Sequence, residues 1–363
     1  MGLAYDIRPQ AAPSVVTYRD ALLRTMRDAL EAHPNVVILG QGVDDHKAVF
    51  GTTLGLADAF GKDRVIETPI AEEGMTGIAV GAALGGLYPI STHIRVDFAM
   101  LAMNQIVNLM AKYRYMFGGR FAVPLLMRLV IGRGWGQGAQ HSQSLQSMFA
   151  HVPGLDVVMP ATAEAVLSAY PWLVANHRGP VLSIEHRLLY DVAYKVPPRV
   201  APASPFHSKL ARSGTQATVV ATSLMVLDAL RAAEHLATAG LDVEVIDLNC
   251  PTRPDAELIV ASVAKTGRLL VLDTSWQAYG VCAEVCRLVA ERAPQALKAP
   301  VVTMGMAPAP CPTGKSLEDR YYPTLHRVTD ALARLVTGTD AHGIALPPEA
   351  SQTESYKRFR GPF

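Results

Sequence analysis

The spacing of apolar positions changes several times along this chain, and each change marks a predicted element. Beyond Thr17, the residues Leu22, Leu23, Met26, Ala29 and Leu30 recur at helical intervals and share one face, with Thr17 placed to cap the helix start. Pro34 follows, and Val36 to Leu39 is then a continuous apolar run of strand length. Similar runs return at Val123–Val130, Asp156–Met159 and Val181–Ile184, with helical stretches between them. Buried strands alternating with helices predict a mostly parallel sheet covered on both faces.

The pattern breaks at residues 196–206, V-P-P-R-V-A-P-A-S-P-F, where four prolines in eleven residues cannot continue a helix. Beyond it the rhythm restarts. Strands are predicted at Ala217–Thr222, Val243–Leu248, Leu269–Asp273 and Val301–Met304, and helices at Leu224–Ala239, Asp255–Lys265 and Cys282–Arg292. The expected division is an N-terminal arm (1–14), an α/β domain (15–195), a linker (196–206), a second α/β domain (207–337) and a polar tail (338–363). Such a tail is usually disordered or draped over a neighbour. Its basic-aromatic end, S-Y-K-R-F-R-G-P-F, has the composition of a docking peptide, although a loose terminus is the plainer reading.

With 363 residues, half of them apolar and 18% charged, the chain is long enough for two domains with substantial cores. A formal charge of +1 points to neither nucleic acid nor an anionic membrane as the main partner. Four cysteines make no disulfide framework, and Cys282 and Cys286 read as small buried hydrophobes. The start of the chain shows no basic-then-apolar signal pattern. The uncharged run Gly74 to Ser91 is broken by glycines and too short to cross a bilayer. A cytoplasmic setting is expected for a bacterial source.

Chemistry concentrates between Glu67 and His151. The region opens E-T-P-I-A-E-E-G-M-T-G-I-A-V-G-A-A-L-G-G (Glu67 to Gly86), an acidic pair ahead of an uncharged helix. Alone, an acid in a first turn is most often a dipole-favoured capping residue. Gly77, Gly81 and Gly85 share one helix face, and each costs about 1 kcal/mol relative to alanine, so the face needs a close packing partner. The region then reaches G-Q-G-A-Q-H-S-Q-S (Gly136 to Ser144), a glycine-rich loop presenting one histidine. A lone histidine is more often structural than catalytic.

The order and wording of these segments resemble the β subunit of the thiamine diphosphate-dependent component of 2-oxo acid dehydrogenases, the pyruvate and branched-chain family. The resemblance spans Val15 to Val336. It includes N-Q-I-V-N-L-M-A-K-Y-R-Y-M-F-G-G (Asn104 to Gly119), which follows a helix of the family to a double-glycine stop. It also includes S-V-A-K-T-G-R-L-L-V-L-D (Ser262 to Asp273), G-V-C-A-E-V (Gly280 to Val285) and A-P-V-V-T-M-G (Ala299 to Gly305). It implies an α/β fold of two domains, a pyrimidine-binding parallel-sheet domain and a transketolase C-terminal-type domain. The family pattern proline–apolar–small–Glu–x–Gly falls on Pro69 to Gly74 and selects Glu72 over Glu73 as the acid that hydrogen-bonds the aminopyrimidine. Sharing a proton in this way calls for a desolvated pocket that favours the neutral carboxyl. Ile94 and Phe98 fall where the family contacts the cofactor, although a plain core role for Phe98 is nearly as good a reading. His141 in H-S-Q-S faces the thiazolium side in the family and helps move protons as the acyl group passes to lipoamide, work suited to an imidazole. Ser142 and Gln143 are expected to order that loop, and His151 in F-A-H-V-P-G-L to be structural.

No G-D-G followed at about thirty residues by asparagine, the Mg²⁺–diphosphate signature of thiamine enzymes, is present. The resemblance therefore implies an α partner that holds Mg²⁺ and diphosphate, a site shared at an interface, and an α2β2 heterotetramer. It further implies that the glycine face meets a second copy of this chain, and that the second domain helps dock a lipoyl-bearing transacylase core. Several positions depart from the family. Gln41 and Gly42 stand where acids usually follow the first strand, an acid is also missing near Thr92, and the second domain has Asp273-Thr274-Ser275-Trp276. The missing acids put in doubt the proton relay between paired active sites. Arg95 lies in a normally uncharged stretch, and Arg95, Arg133 and Gln140 become candidates to meet an anionic substrate or an altered acceptor. Competing readings are the C-terminal half of a split transketolase, an enzyme delivering its group to another acceptor, and a non-catalytic partner subunit.

Overall fold

The computed structural model describes residues 14–132 and 136–348. Eight strands precede the proline-rich stretch: β1 (Ser14–Thr17), β2 (Val36–Gly40), β3 (Val65–Glu67), β4 (Tyr88–His93), β5 (Leu125–Ile131), β6 (Asp156–Val158), β7 (Pro180–His186) and β8 (Ala193–Val196). Five follow it: β9 (Lys209–Arg212), β10 (Ala217–Ala221), β11 (Val243–Asp247), β12 (Leu269–Trp276) and β13 (Val302–Met306). The first sheet is parallel throughout, in the order β3-β2-β4-β5-β7-β6. The second runs β13-β12-β10-β11-β9, parallel except for β9, which lies antiparallel on β11. The chain thus folds as two α/β domains, one on each side of the proline-rich stretch.

Helices cover both faces of the first sheet, and this explains why β2 and β5 are buried along their whole length. The Tyr18–Ala32 helix starts where Thr17 accepts a hydrogen bond from Asp20 N at 3.1 Å, and it packs Tyr18, Leu22, Met26 and Leu30 into the core. The Glu72–Leu84 helix lies on the other face with Met75, Ala79, Val80 and Ala83 inward. Inside the sheet, Arg128 of β5 is fully buried. Its Nε and Nη2 donate to the two oxygens of Glu185 on β7 at 2.7 and 2.8 Å, and the hydroxyls of Tyr170 and Tyr190 donate to the same carboxylate, each at 2.6 Å. Removing either partner would strand a buried charge.

Three local features differ from the sequence reading. Ser14–Thr17, where the expected arm (1–14) passes into the first domain and no strand was expected, is a strand paired antiparallel with Ala193–Val196, so it closes the two ends of the first domain on each other. The segment Asn104–Gly119 is two pieces, a wide helical turn at Asn104–Met110 and a short helix at Tyr113–Met116. It stops at Gly118 and Gly119, both with positive φ (59° and 81°), which an L side chain rarely adopts. The described part of the tail lies against its own domain, where His235 and His326 hydrogen-bond Ala345 O and Pro347 O at 2.7 and 2.6 Å.

Candidate active site

In an open parallel sheet, ligands bind in the crevice beyond the carboxyl ends of the strands. Here β2, β4 and β5 lie side by side, and their carboxyl ends lead into Gln41-Gly42, Ile94–Phe98 and the loop carrying His141. Glu72 arrives at the same edge as the first residue of its helix, reached from β3.

Glu72 is 6% exposed, and its Oε1 accepts from Gln41 Nε2 at 3.0 Å. Among the described residues, Oε2 has no partner. Gln41 is presented by a turn that Glu67 shapes, accepting from Gly42 N at 2.7 Å and Asp44 N at 2.9 Å. Glu73 points outward and accepts from Gln105 Nε2 at 3.0 Å. The two neighbouring acids are thus sorted by burial. His93, on β4 beneath the same helix, has Nε2 3.3 Å from Thr76 Oγ1 and is 1% exposed. Burial pushes its imidazole down to about 4, against the opposing pull of the Glu72 carboxylate, so the ring is neutral at physiological pH.

His141 ends the short turn Ala139–His141 and is half-buried, with its ring 5.1 Å from that of Phe98 and edge-on at 74°. Ile94 is also half-buried and closes over the turn after β2. A Cβ added to Gly42 would lie 3.3 Å from Ile94 Cδ1. The residues 94–98 therefore join the Glu72 and His141 sides of the crevice. Arg95 is 7% exposed and turned into the protein, where Nη2 donates to Gly132 O at 2.6 Å and Nε lies 3.4 Å from Asp97 Oδ2. Gln140 is exposed at the crevice, and Arg133 lies outside the described residues. A cavity of about 300 Å³ beside this loop is lined by Ala139, Ser142 and Gln143 with Trp276, Cys311 and Tyr321. His151 is exposed, and its N–H closes the short helix Gln146–Ala150 on Ser147 O at 3.0 Å.

The second domain holds the far side of the His141 loop. Ser144 Oγ and Thr274 Oγ1 are 3.0 Å apart, Ser275 Oγ donates to Ser144 O at 2.6 Å, and Gln146 Nε2 donates to Asp273 Oδ1 at 2.7 Å. Thr222 Oγ1 and Thr274 N also donate to Oδ1, at 2.6 and 2.8 Å, while burial pushes the Asp273 carboxyl upward. Thr313 backs the loop at Gly138, where a Cβ would come within 2.8 Å of Thr313 Oγ1 and φ is +67°. Sequence reasoning did not place Gln41, Asp97, Gln146 or Thr313 in the site. Only Gln41 carried a signal, as a neutral residue directly after the first strand's glycine.

Comparison with known proteins gives this geometry a lineage. The chain matches the transketolase pyrimidine-binding domain over residues 14–192 and the transketolase C-terminal domain over residues 207–328. A solved split-gene transketolase, described as an inactive β4 tetramer, shares the fold with a TM-score of 0.72 at 23% identity, over 89% of this chain and 98% of its own. These matches define a two-domain transketolase-like protein. The mitochondrial pyruvate dehydrogenase E1 subunit β-2 of Oryza sativa subsp. japonica is 36% identical over 328 residues, which is 89% of this chain and 87% of that protein. The mitochondrial E1 β subunit of Homo sapiens is 37% identical over 325 residues, 88% of this chain and 90% of that protein. The E1 β subunit of Rickettsia conorii is 35% identical over 320 residues, 88% and 98% respectively. The chain belongs to the family of E1 β subunits of the thiamine-dependent 2-oxo acid dehydrogenases.

Proposed function

We propose that this chain supplies the pyrimidine half of the active site in a heteromeric 2-oxo acid dehydrogenase. In that reading the enzyme decarboxylates pyruvate or a short branched-chain 2-oxo acid and passes the acyl group to lipoamide. The observation that carries the proposal is the state of Glu72, a buried carboxyl with one oxygen held by Gln41 and the other unpartnered among the described residues. That arrangement fits an acid that hydrogen-bonds a cofactor nitrogen. The donor on Oε1 leaves Oε2 to carry and present the proton.

Thiamine diphosphate, when bound, would supply the carbon nucleophile and electron sink for decarboxylation. Glu72 would hold the proton shared with the aminopyrimidine. Ile94 and Phe98 would wall the ring and exclude water. His141, edge-on to Phe98, would give and take protons as the acyl group leaves. Gln140, exposed at the crevice, would meet substrate or acceptor. The diphosphate and Mg²⁺ belong in this proposal to an α subunit, in an α2β2 assembly that works in the cytoplasm and docks on a lipoyl-bearing transacylase core. The glycine face of the Glu72 helix supports an outside partner, because a methyl group added at Gly81 would meet nothing within 4 Å among the described residues.

The test is thiamine diphosphate-dependent decarboxylation of a 2-oxo acid panel by the chain alone and co-expressed with its α partner, with an artificial electron acceptor reporting turnover. Activity confined to the pair is the expected result, and the panel names the substrate. A well-formed pair that retains cofactor without turnover would point to another acceptor or to ketol transfer. A pair that retains no cofactor would make this a structural subunit.

A further inference from the structure

Arg95 is an unusual residue to bury, since a guanidinium loses its hydration and regains it only through well-placed acceptors. Burial pushes its pKa down while Asp97 opposes the shift, and arginine stays charged under such conditions. Its partners share one property. Nη2 donates at 2.6 Å to the carbonyl of Gly132, the residue that follows β5. Nε lies 3.4 Å from Asp97 Oδ2, and the other oxygen of Asp97, Oδ1, accepts from the main-chain N–H of Gln143 at 3.0 Å. Gly132 precedes His141 in the chain and Gln143 follows it. The next residue after Asp97 is Phe98, against whose ring His141 rests.

We propose that Arg95 and Asp97 are positioning residues for His141, fixing the main chain on both sides of it relative to Phe98. The proposal rests on the acid–base role given to His141 above and adds the residues that set its pose. It assigns the guanidinium to the protein's own backbone instead of to an anionic substrate, because both of its near partners are internal and it is 7% exposed. The planar fork is what allows one side chain to serve Gly132 and Asp97 together. A lysine would bring a single point of donation.

The experiment uses Arg95→Met, Arg95→Lys and Asp97→Ala in the full chain. Amide hydrogen exchange and the imidazole NMR signals of His141 are read on the chain alone, and kinetics on the pair with its α partner. Exchange at Gln143 should rise about tenfold in Asp97→Ala, the factor expected for one lost hydrogen bond, by a smaller factor in Arg95→Met, where Asp97 loses its brace, and least in Arg95→Lys. The amides of β4 should be unaffected, and the His141 signals should move as its contact with Phe98 loosens. In the pair, kcat for acyl transfer should fall about tenfold or more with KM for the 2-oxo acid nearly unchanged, as for a misplaced catalytic group. Unchanged Gln143 exchange and unchanged His141 signals would overturn the proposal. A large rise in KM with His141 signals intact would also overturn it, in favour of direct substrate binding by Arg95. If Arg95→Met fails to fold, Arg95→Lys and Asp97→Ala decide. An inactive wild-type pair would sink the functional reading instead, while exchange and NMR still judge the clamp.

Discussion

The two sides of the crevice are built on different principles. Glu72 is set by one domain, through the first turn of a helix packed on the sheet and one neutral donor, Gln41, 31 residues away. His141 sits on a loop with no strand or long helix of its own, held by Arg95 and Asp97 from the first domain and by Thr274, Asp273 and Thr313 from the second. In the proposed reading, Glu72 meets a bound cofactor from a fixed position and gains from rigid burial. In the same proposal His141 meets an incoming acceptor and stays nearer the surface, so its precision comes from tethers.

The sharpest break of this comparison is Glu72→Ala. Loss of the acid should lower thiamine-dependent turnover of the pair by about 10²–10⁴-fold, the usual worth of a positioned acid or base, with thermal stability of the chain retained. Steady-state assays beside a melting curve check it, and near-normal turnover would return the chain to a structural role. His141→Ala should act more selectively. Turnover with a lipoyl acceptor should fall about 10²-fold, whereas turnover with an artificial electron acceptor should fall less. Equal losses in the two assays would place His141 in the first chemical step instead.

Gln146→Leu addresses the interdomain tether. It removes one donor from the buried Asp273 and should cost about 1–3 kcal/mol in denaturant unfolding. His141-dependent turnover should suffer more than cofactor binding.

Two buried groups should give the domains opposite responses to pH. In the second domain, burial pushes Asp247 up to about 7, with the N–H of Asn249 opposing. Its contribution to stability is present in full below the ordinary carboxylate value of 3.8 and is lost as pH rises to about 7. In the first domain His93 is lowered from 6.5 to about 4, so its contribution is present above pH 6.5 and is lost as pH falls through 4. Unfolding measured from pH 4 to 7 should therefore show Asp247→Asn flattening the loss on the alkaline side, with no effect on the acid limb. The smallest effect belongs to Gly81→Ala. An exposed helical glycine exchanged for alanine should stabilise the isolated chain by up to about 1 kcal/mol while weakening assembly if that face meets another subunit. Analytical ultracentrifugation with and without the α partner separates the two.

Much of the fold was legible because its signals are local. The Thr17 cap, the apolar run of β2 and the double-glycine stop at Gly118 and Gly119 each depend on residues within a few positions of one another. The pairing of β1 with β8 was not legible, because a strand of four residues has too short a pattern and its partner lies some 180 positions on. The interruption at Met110 was also hidden, since Asn104–Gly119 keeps a helical composition throughout. The site divides in the same way. Glu72, Phe98 and His141 carried motif signals, whereas Asp97, Gln146 and Thr313 matter through what they touch, and no spacing announces such contacts. Arg95 stood out by its charge, but only its partners show where that charge is used.

The bonds from Gln146 to Asp273 and from Ser144 to Ser275 and Thr274 span 127 to 131 residues of chain. During synthesis, the six strands of the first sheet have left the ribosome long before β12 exists. The sheet and the Glu72 pocket can take shape while the His141 loop still lacks half of its tethers. Completion of the His141 loop therefore reports that the second domain has been made, and a product truncated after the linker would carry Glu72 without a finished His141 loop.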